Sequence, residues 1–399
     1  MNSTGMSDAT ISRDLLRDKN LYMVFIVTLF AVMGVASIAP AFPQIIRFFS
    51  ITKKEVGWLI ASFTIPGVFL APLMGILADR TGRKNILVPS LILFGIAGFI
   101  CLFTRDFKIL LLLRFFQGIG AAALGSLNVT LIGDLYEGEK RIAAMGYNAS
   151  VLSIGTASYP AIGGALAIAG WQFPFILPVL AIPLGLIIAF RLKNPEPGLI
   201  HPLKGYLKNV WKNLYQRRVL GLFLVNILVF FLLYGASLTY FPLLLEDRVQ
   251  ANSLHIGLAM SLMSFVTAIT SSQVLKISRL LGKPALLSAA TLLYGFSMLL
   301  ISYSFSWIWI LPAIICFGLG HGMFIPTIQT MLVGLAPLNE RAGFMSINIM
   351  IMRIGQTTGP LIMGISYGAG GLTAVFLSGT GIAIIMFLVV LVFLRDSHK

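Results

Sequence analysis

Residues 75–84 read GILADRTGRK, which crowds Asp79, Arg80, Arg83 and Lys84 into one short run between two long apolar stretches. The flanks, about 56–78 and 86–103, are each long enough to cross a bilayer, which needs about 20 apolar residues at 1.5 Å of rise apiece. A charged run this short between two such flanks is a turn at a membrane surface. The chain enters the bilayer, leaves it and re-enters at once.

The rest of the sequence repeats that arrangement. Of 399 residues 57% are hydrophobic and only 11% charged, against roughly 25% charged in an average soluble domain, and the mean hydropathy is +0.92. Length divided by one span and its loop gives about twelve helices. The expected spans are 21–46, 57–78, 86–103, 107–133, 142–169, 172–190, 219–245, 255–275, 285–304, 307–333, 342–368 and 371–394. The runs are too long and too evenly apolar for the alternating ~10-residue strands of a barrel. Helices are the remaining spanning structure, so the fold class is all-α integral membrane.

A net charge of +15 would suggest a nucleic-acid partner in a soluble chain. Here the bases fall in short loops. With the N-terminus inside, Arg47, Lys53, Lys54, Arg105, Lys108 and Arg248 lie outside, Arg114 and Arg353 lie within spans, and the remaining bases are cytoplasmic. The positive-inside rule accounts for that excess without nucleic acid, and both termini are expected in the cytoplasm. Cys101 and Cys316 lie in apolar spans and read as small hydrophobes rather than as a disulfide or metal site. The first apolar run is too long for a cleaved signal and should remain as an anchor.

One offset, 200 residues, superposes widely separated landmarks of the two halves. Gly82 matches Gly282, Gly118 and Gly120 match Gly318 and Gly320, Asn148 matches Asn348, Gly155 matches Gly355, Pro160 matches Pro360 and Gly164 matches Gly364. This is a duplicated six-helix unit. An even number of spans per unit gives both copies one orientation, with a substrate site expected between them. The organisation read from this is a cytoplasmic tail (1–20), a first bundle (21–190), a linker (191–218), a second bundle (219–394) and a cytoplasmic tail (395–399). In the linker Leu203, Leu207, Val210, Trp211 and Leu214 recur at helical spacing beside Lys204, Lys208 and Lys212, as in an amphipathic helix lying on an anionic inner leaflet.

These residues carry a family resemblance. Gly75-x-Leu77-Ala78-Asp79-Arg80-x-Gly82-Arg83-Lys84 resembles the loop 2–3 signature of the major facilitator superfamily, with every position filled. The resemblance implies a cytoplasmic latch of Gly75, Asp79, Arg80, Gly82 and Arg83, in which Asp79 sits near the start of the eleventh span and Asp134 pairs with Arg80 or Arg83. In the second half the matching stretch is KISRLLGKP, residues 276–284, which keeps Gly282 and lacks the acid. LLLRFFQGIGAA, residues 111–122, is similar to the family's fourth-span motif, whose arginine, here Arg114, is linked to proton coupling. Gly146-x8-Gly155-x3-Tyr159-Pro160-x2-Gly163-Gly164 is similar to the fifth-span motif of the 12-span drug:proton antiporters. Gly155, Pro160, Gly163 and Gly164 would bend that span, and Tyr159 stands where the family usually has glycine. The resemblance covers the whole chain and implies two pseudo-symmetric six-helix bundles.

The cavity chemistry rests on polar groups at mid-depth. None of the 14 acids reaches the membrane centre. Arg353, midway along the eleventh span, and His321, midway along the tenth within FGLGHGMFIP, are the ionisable residues expected in the cavity. Arg353 stays charged and favours anionic or zwitterionic substrates. His321 titrates near neutrality and suits a proton carrier, against the alternative of a neutral ring bonded to a neighbouring helix. Asn128, Asn226, Gln329 and Gln356 offer uncharged hydrogen bonds and Tyr159 and Tyr234 aromatic walls, although helix packing explains each as well.

A membrane enzyme would need a nucleophile with its base, or clustered ligands, and His201, His255, His321 and His398 are scattered. GLGHGM follows no strand and lacks a phosphate-binding lysine, so it is no nucleotide loop. The expectation is a monomeric proton-coupled exporter of small amphipathic molecules in a bacterial or archaeal cytoplasmic membrane, with no cofactor beyond the coupling proton. The alternative is a facilitator or uptake carrier for an organic anion without proton coupling.

Overall fold

A computed structural model describes residues 15–192, 216–336 and 341–394. The linker helix expected over 203–214 lies outside them, as do most of the two tails. Among the described residues the regular structure is helical throughout. The first span is α1 (Lys19–Ala36), a short 3-10 turn (Ala39–Ala41) and α2 (Phe42–Phe49). Then come α3 (Gly57–Thr81), α4 (Arg83–Cys101), α5 (Phe107–Leu135) and α6 (Gly138–Ala169), and a sixth span of α7 (Ile176–Val179) and α8 (Ala181–Arg191). The seventh span is α9 (Arg217–Phe230), a π-helical stretch (Phe231–Tyr240) and α10 (Phe241–Val249), followed by α11 (Ser253–Leu281), α12 (Lys283–Tyr303), α13 (Trp307–Leu335) and α14 (Arg341–Leu394).

Eleven of these stretches are long and apolar enough to cross a membrane. The last, Ile347–Leu394, has 48 residues, or about 72 Å of helix, more than twice the ~30 Å hydrocarbon thickness. Its backbone leaves helical geometry at Gly370 and at Gly371, where φ is +67°. α14 is therefore two crossings folded at a glycine pair, and the chain has the twelve spans expected. Side-chain caps mark other starts: the Asp106 carboxylate accepts from the Lys108 and Ile109 amides, and Asn252 accepts from the His255 amide.

The turn after the second span and the turn after the eighth are built alike. Gly82 (φ +93°) and Gly282 (φ +76°) end their helices in a conformation that a Cβ disfavours. That explains why Gly282 survives in the second copy although the acid is gone. The described chain ends lie at one membrane face, termed the terminal face, with the 82, 136 and 282 turns. The opposite or far face carries the turns at 50–56, 102–106, 170–172, 250–252 and 304–306.

Contacts across the halves come mainly from α3 against α14 and α6 against α11. Within each half the packing is continuous, α5 against α3 and α4, and α13 against α11 and α12.

Candidate functional site

The far-face half of the interface is shut by backbone. A Cβ placed on Gly257 would lie 2.3 Å from the Pro160 carbonyl oxygen, and one on Gly57 would lie 3.0 Å from the Pro360 carbonyl oxygen. Each residue of the first pair is 200 positions from its counterpart in the second. The seam therefore obeys the pseudo-two-fold of the repeat. A Cβ on Gly164 would lie 2.3 Å from the Ser253 carbonyl oxygen and one on its counterpart Gly364 would lie 3.5 Å from Lys54, while Ser261 Oγ accepts from the Ala161 amide at 3.0 Å. Side chains then clamp the rim: Arg47 pairs with Glu246, Lys53 with Asp247 at 2.8 Å, and Gln44 Nε2 donates to Ser253 Oγ at 2.7 Å. Toward the terminal face α3 and α6 have no such neighbours among the described residues. A Cβ on Gly75 or Gly146 would meet nothing within 4 Å there. The pathway between the bundles opens to the terminal face and is closed at the far face.

Gly75, expected in the latch, has no neighbour within 4 Å of an added Cβ among the described residues. Arg83 is the centre of the charged turn, touching Asp79 one helical turn back and donating from Nε to Asp134 at 2.8 Å. Of the two partners expected for Asp134, Arg83 is the one that binds it. The Asp79 side chain is 56% exposed, and Arg80 is exposed beside it.

The two intramembrane arginines have opposite surroundings. Arg114 is 2% exposed and each of its three nitrogens donates: Nη1 to Gln117 Oε1 at 2.6 Å, Nη2 to the Gly34 carbonyl at 2.8 Å and Nε to the Leu59 carbonyl at 3.4 Å. The guanidinium also lies 4.2 Å from the Phe63 ring centre. It ties the first, second and fourth spans inside one bundle and faces no pathway. Arg353 instead reaches across the interface, where a Cβ on Gly67 would lie 3.2 Å from its Cδ and one on Gly125 3.3 Å from Nη2. Its single side-chain hydrogen bond runs from Nη1 to Gln356 at 3.1 Å, and no carboxylate pairs with it among the described residues. Just toward the far face Thr357 donates to Thr64 at 2.8 Å, joining the bundles where the seam begins.

His321 does not reach the pathway. Its Nδ1 shares a 2.5 Å hydrogen bond with the Tyr294 hydroxyl of α12, and its ring stacks on Phe317. Spacing along α13 put the residue at mid-depth but could not give its direction, which is into its own bundle. For Asn128, Asn226 and Gln329 the sequence offered cavity lining or helix packing, and their hydrogen bonds serve packing. Asn128 Nδ2 donates to Thr28 Oγ1 at 2.9 Å, and Thr28 donates to Asn148 Oδ1 at 2.6 Å. In the other half Asn226 Nδ2 donates to Asn348 Oδ1 at 2.7 Å, and Asn348 donates to Gln329 Oε1 at 3.2 Å. Each triad joins the first, fourth and fifth spans of its own half and includes the asparagine that the repeat preserves, Asn148 or Asn348.

The fifth-span motif packs between two neighbours. Gly155 faces Leu29, Gly163 abuts the Ser37 carbonyl of the first span and Gly164 abuts the eighth span, while α6 runs unbroken through Pro160. Tyr159 is buried beside Gly155. Tyr234 lies in the π-helical stretch against Phe230, within electrostatic reach of Arg353. Sequence reading missed Thr28, Thr64, Gly67, Gly125 and Thr357, as well as the rim charge pairs. Of these, only the opposite charges at positions 47 and 247, one repeat apart, gave a signal that could have been found.

Two homologous helical bundles, a polar pathway between them open at one membrane face, and a seam sealed by backbone at the other define a membrane carrier and not an enzyme. The match to known proteins agrees. The family model of the Major Facilitator Superfamily fits residues 24–283 and 248–399, and the chain belongs to that family. It is similar to multidrug resistance protein 1 of Bacillus subtilis (strain 168), 25% identical over 362 residues, covering 88% of this chain and 91% of the relative. The bacillibactin exporter of the same organism is 26% identical over 360 residues, covering 86% and 88%. Among solved structures, a bacterial homologue of the human lysosomal transporter Spinster in an inward-facing, unoccupied conformation superposes with a TM-score of 0.78 at 17% identity, covering 99% of this chain and 100% of that one.

Proposed function

We propose that the chain is a proton-coupled exporter in a bacterial cytoplasmic membrane, moving small amphipathic molecules with an anionic or zwitterionic group. The terminal face is the cytoplasmic one, since the positive-inside excess lies there, and the shape described is inward-open. The likeness to a bacterial exporter, that of bacillibactin, supports the direction. Substrate charge rests on one observation, the Arg353 guanidinium that stands between the bundles with a single hydrogen bond. A charge held within the membrane is costly, about 2.5–3.5 kcal/mol on insertion scales, and marks a functional site by default. An arginine whose donors are unspent is built to receive an oxyanion in a forked, bidentate contact.

The bundles at 21–190 and 219–394 rock about this centre. As the far face opens, the terminal face closes, and the turn at Asp79, Arg83 and Asp134 then meets the start of the eleventh span, where an anion is favoured by the helix dipole. It acts as the latch of the outward-open state. A proton running down the membrane potential supplies about 2.3 kcal/mol per 100 mV, enough for a gradient of about fifty-fold. A second reading, exchange of organic anions without protons, is favoured by the engagement of His321 with Tyr294 inside its own bundle.

Counterflow in proteoliposomes with and without a pH gradient, over paired cationic and anionic amphiphiles, separates these readings. The expected result is concentrative transport of the anionic member that collapses with the gradient. Preferential transport of lipophilic cations would overturn the assignment of Arg353.

A further inference from the structure

A groove of about 550 Å³ lies on the outer flank of the first bundle at the terminal face, lined by Lys19, Asn20, Tyr22, Met23, Ile187 and Arg191. It is formed where α1 begins and α8 ends, so the two bases stand at one level, above an apolar wall. Lys19 and Arg191 are exposed, and among the described residues neither makes an ion pair or a side-chain hydrogen bond. The neighbouring acid, Asp18, forms an ion pair with neither of them among the described residues. Asp18 caps α1 by accepting from the Asn20 amide at 2.8 Å and takes the Tyr136 hydroxyl at 2.6 Å, and burial together with that bond holds the Tyr136 phenol above its usual range. Tyr22 likewise spends its hydroxyl on the Leu16 carbonyl at 2.9 Å.

The internal repeat supplies a control. At the positions 200 residues on, the second copy has Val219 and Leu391, so the matching flank carries no base at either place. Beside that flank Arg217 is occupied: its Nη2 donates to the Val392 carbonyl at 3.2 Å and its guanidinium lies 5.3 Å from the Phe393 ring centre. There the second half uses its own atoms to satisfy Arg217. The other half leaves two cations facing the lipid.

We infer that this groove binds one anionic glycerophospholipid of the leaflet at the terminal face. Its phosphate sits between Lys19 and Arg191, and an acyl chain lies along Met23, Ile187 and the Tyr22 ring. Two bases at the membrane surface over an apolar wall match the head and tail of such a lipid, and their attraction to anionic headgroups is short-ranged. The first bundle is thereby tethered to the leaflet while the second moves.

The test uses the purified full chain in detergent, titrated with phosphatidylglycerol, phosphatidylcholine or inorganic phosphate and read by native mass spectrometry. The expected result is retention of one phosphatidylglycerol, weak phosphatidylcholine retention, and no displacement by phosphate at millimolar concentration. The double variant Lys19→Gln/Arg191→Gln should lose retention by about thirty-fold, roughly fivefold per base. The exchange Lys19→Arg/Arg191→Lys should keep it, as should the control Arg279→Gln/Lys283→Gln at the same face of the other bundle. Equal retention by wild type and the Gln double variant would overturn the site. Displacement by inorganic phosphate would overturn its assignment to a lipid.

Discussion

Arg114 and Arg353 both carry a charge within the membrane, and what separates them is how many of their donors are already taken. Arg114→Leu would strand the Gly34 and Leu59 carbonyls and the Gln117 amide, whose Nε2 already lacks a partner. Hydrogen bonds to a charged group are worth about 1.5–3 kcal/mol each, so a loss of about 3 kcal/mol in bundle stability is expected, seen as a lower melting temperature in detergent. Arg353→Gln removes no such scaffold. Its melting temperature should stay close to wild type while affinity for the anionic substrate falls at least tenfold by equilibrium binding, and Arg353→Lys should recover it only in part because a point charge cannot fork. His321 spends its Nδ1 on Tyr294 inside its own bundle, so His321→Gln and Tyr294→Phe should both leave gradient-driven accumulation close to wild type. Loss of gradient-driven accumulation in His321→Gln with counterflow retained would show that the imidazole carries the coupling proton.

At the level of elements, the glycines of the fifth-span motif divide into two groups by what they touch. Gly163 faces the Ser37 carbonyl within its own bundle, where an added Cβ would come within 1.8 Å, so Gly163→Ala should impair folding and yield. Gly164 and Gly257 face the other bundle, and alanine there should spare folding and disfavour only the far-face-closed state. Spin-label distances across the far face should lengthen for Gly257→Ala and Gly164→Ala. The shift should be smaller for Gly57→Ala, whose Cβ would stand at 3.0 Å rather than 2.3 Å. Identical shifts at all three positions would contradict a seam that is tighter on one side. The π-helical stretch in the seventh span gave no warning in the sequence. It brings Gly235 under the Gly359 carbonyl, where a Cβ would lie 2.7 Å away, while Thr239 Oγ1 returns a hydrogen bond to the Tyr234 carbonyl at 2.6 Å.

For the molecule as a whole, the far-face rim is held by exposed pairs, each worth about 0.2–1 kcal/mol and screened by salt. Glu246→Gln/Asp247→Asn should therefore raise the outward-open population a few-fold, and high ionic strength should do the same to wild type, measured by labelling of a cysteine placed in the far-face half of the pathway. The nearby Glu55 carboxylate accepts from the Thr52 amide at 2.7 Å and hydroxyl at 2.8 Å, the amide bond above all holding it below the usual carboxylate range. A depressed value means that the turn is secure above the ordinary carboxylate range and loosens as pH falls through the lowered one. Asp79→Asn should reduce transport while leaving insertion intact. Much of this architecture was legible in the sequence: span positions follow from apolar run length, and the offset of 200 exposes both Gly82 and Gly282 and the Pro160 and Pro360 seam. What was not legible is direction around a helix axis. A span that is apolar on all sides gives no moment to orient it, so for His321, Asn128, Asn226 and Gln329 the sequence left both cavity and helix packing open.

Glycine over proline carbonyl, twice, has a consequence for how such a protein can diversify. The barrier consists of main-chain atoms at the far end of the route, whereas the groups that would meet a cargo are side chains nearer the middle. Replacing those side chains leaves the barrier untouched. Selectivity can therefore drift through many chemistries while leak-tightness is inherited unchanged.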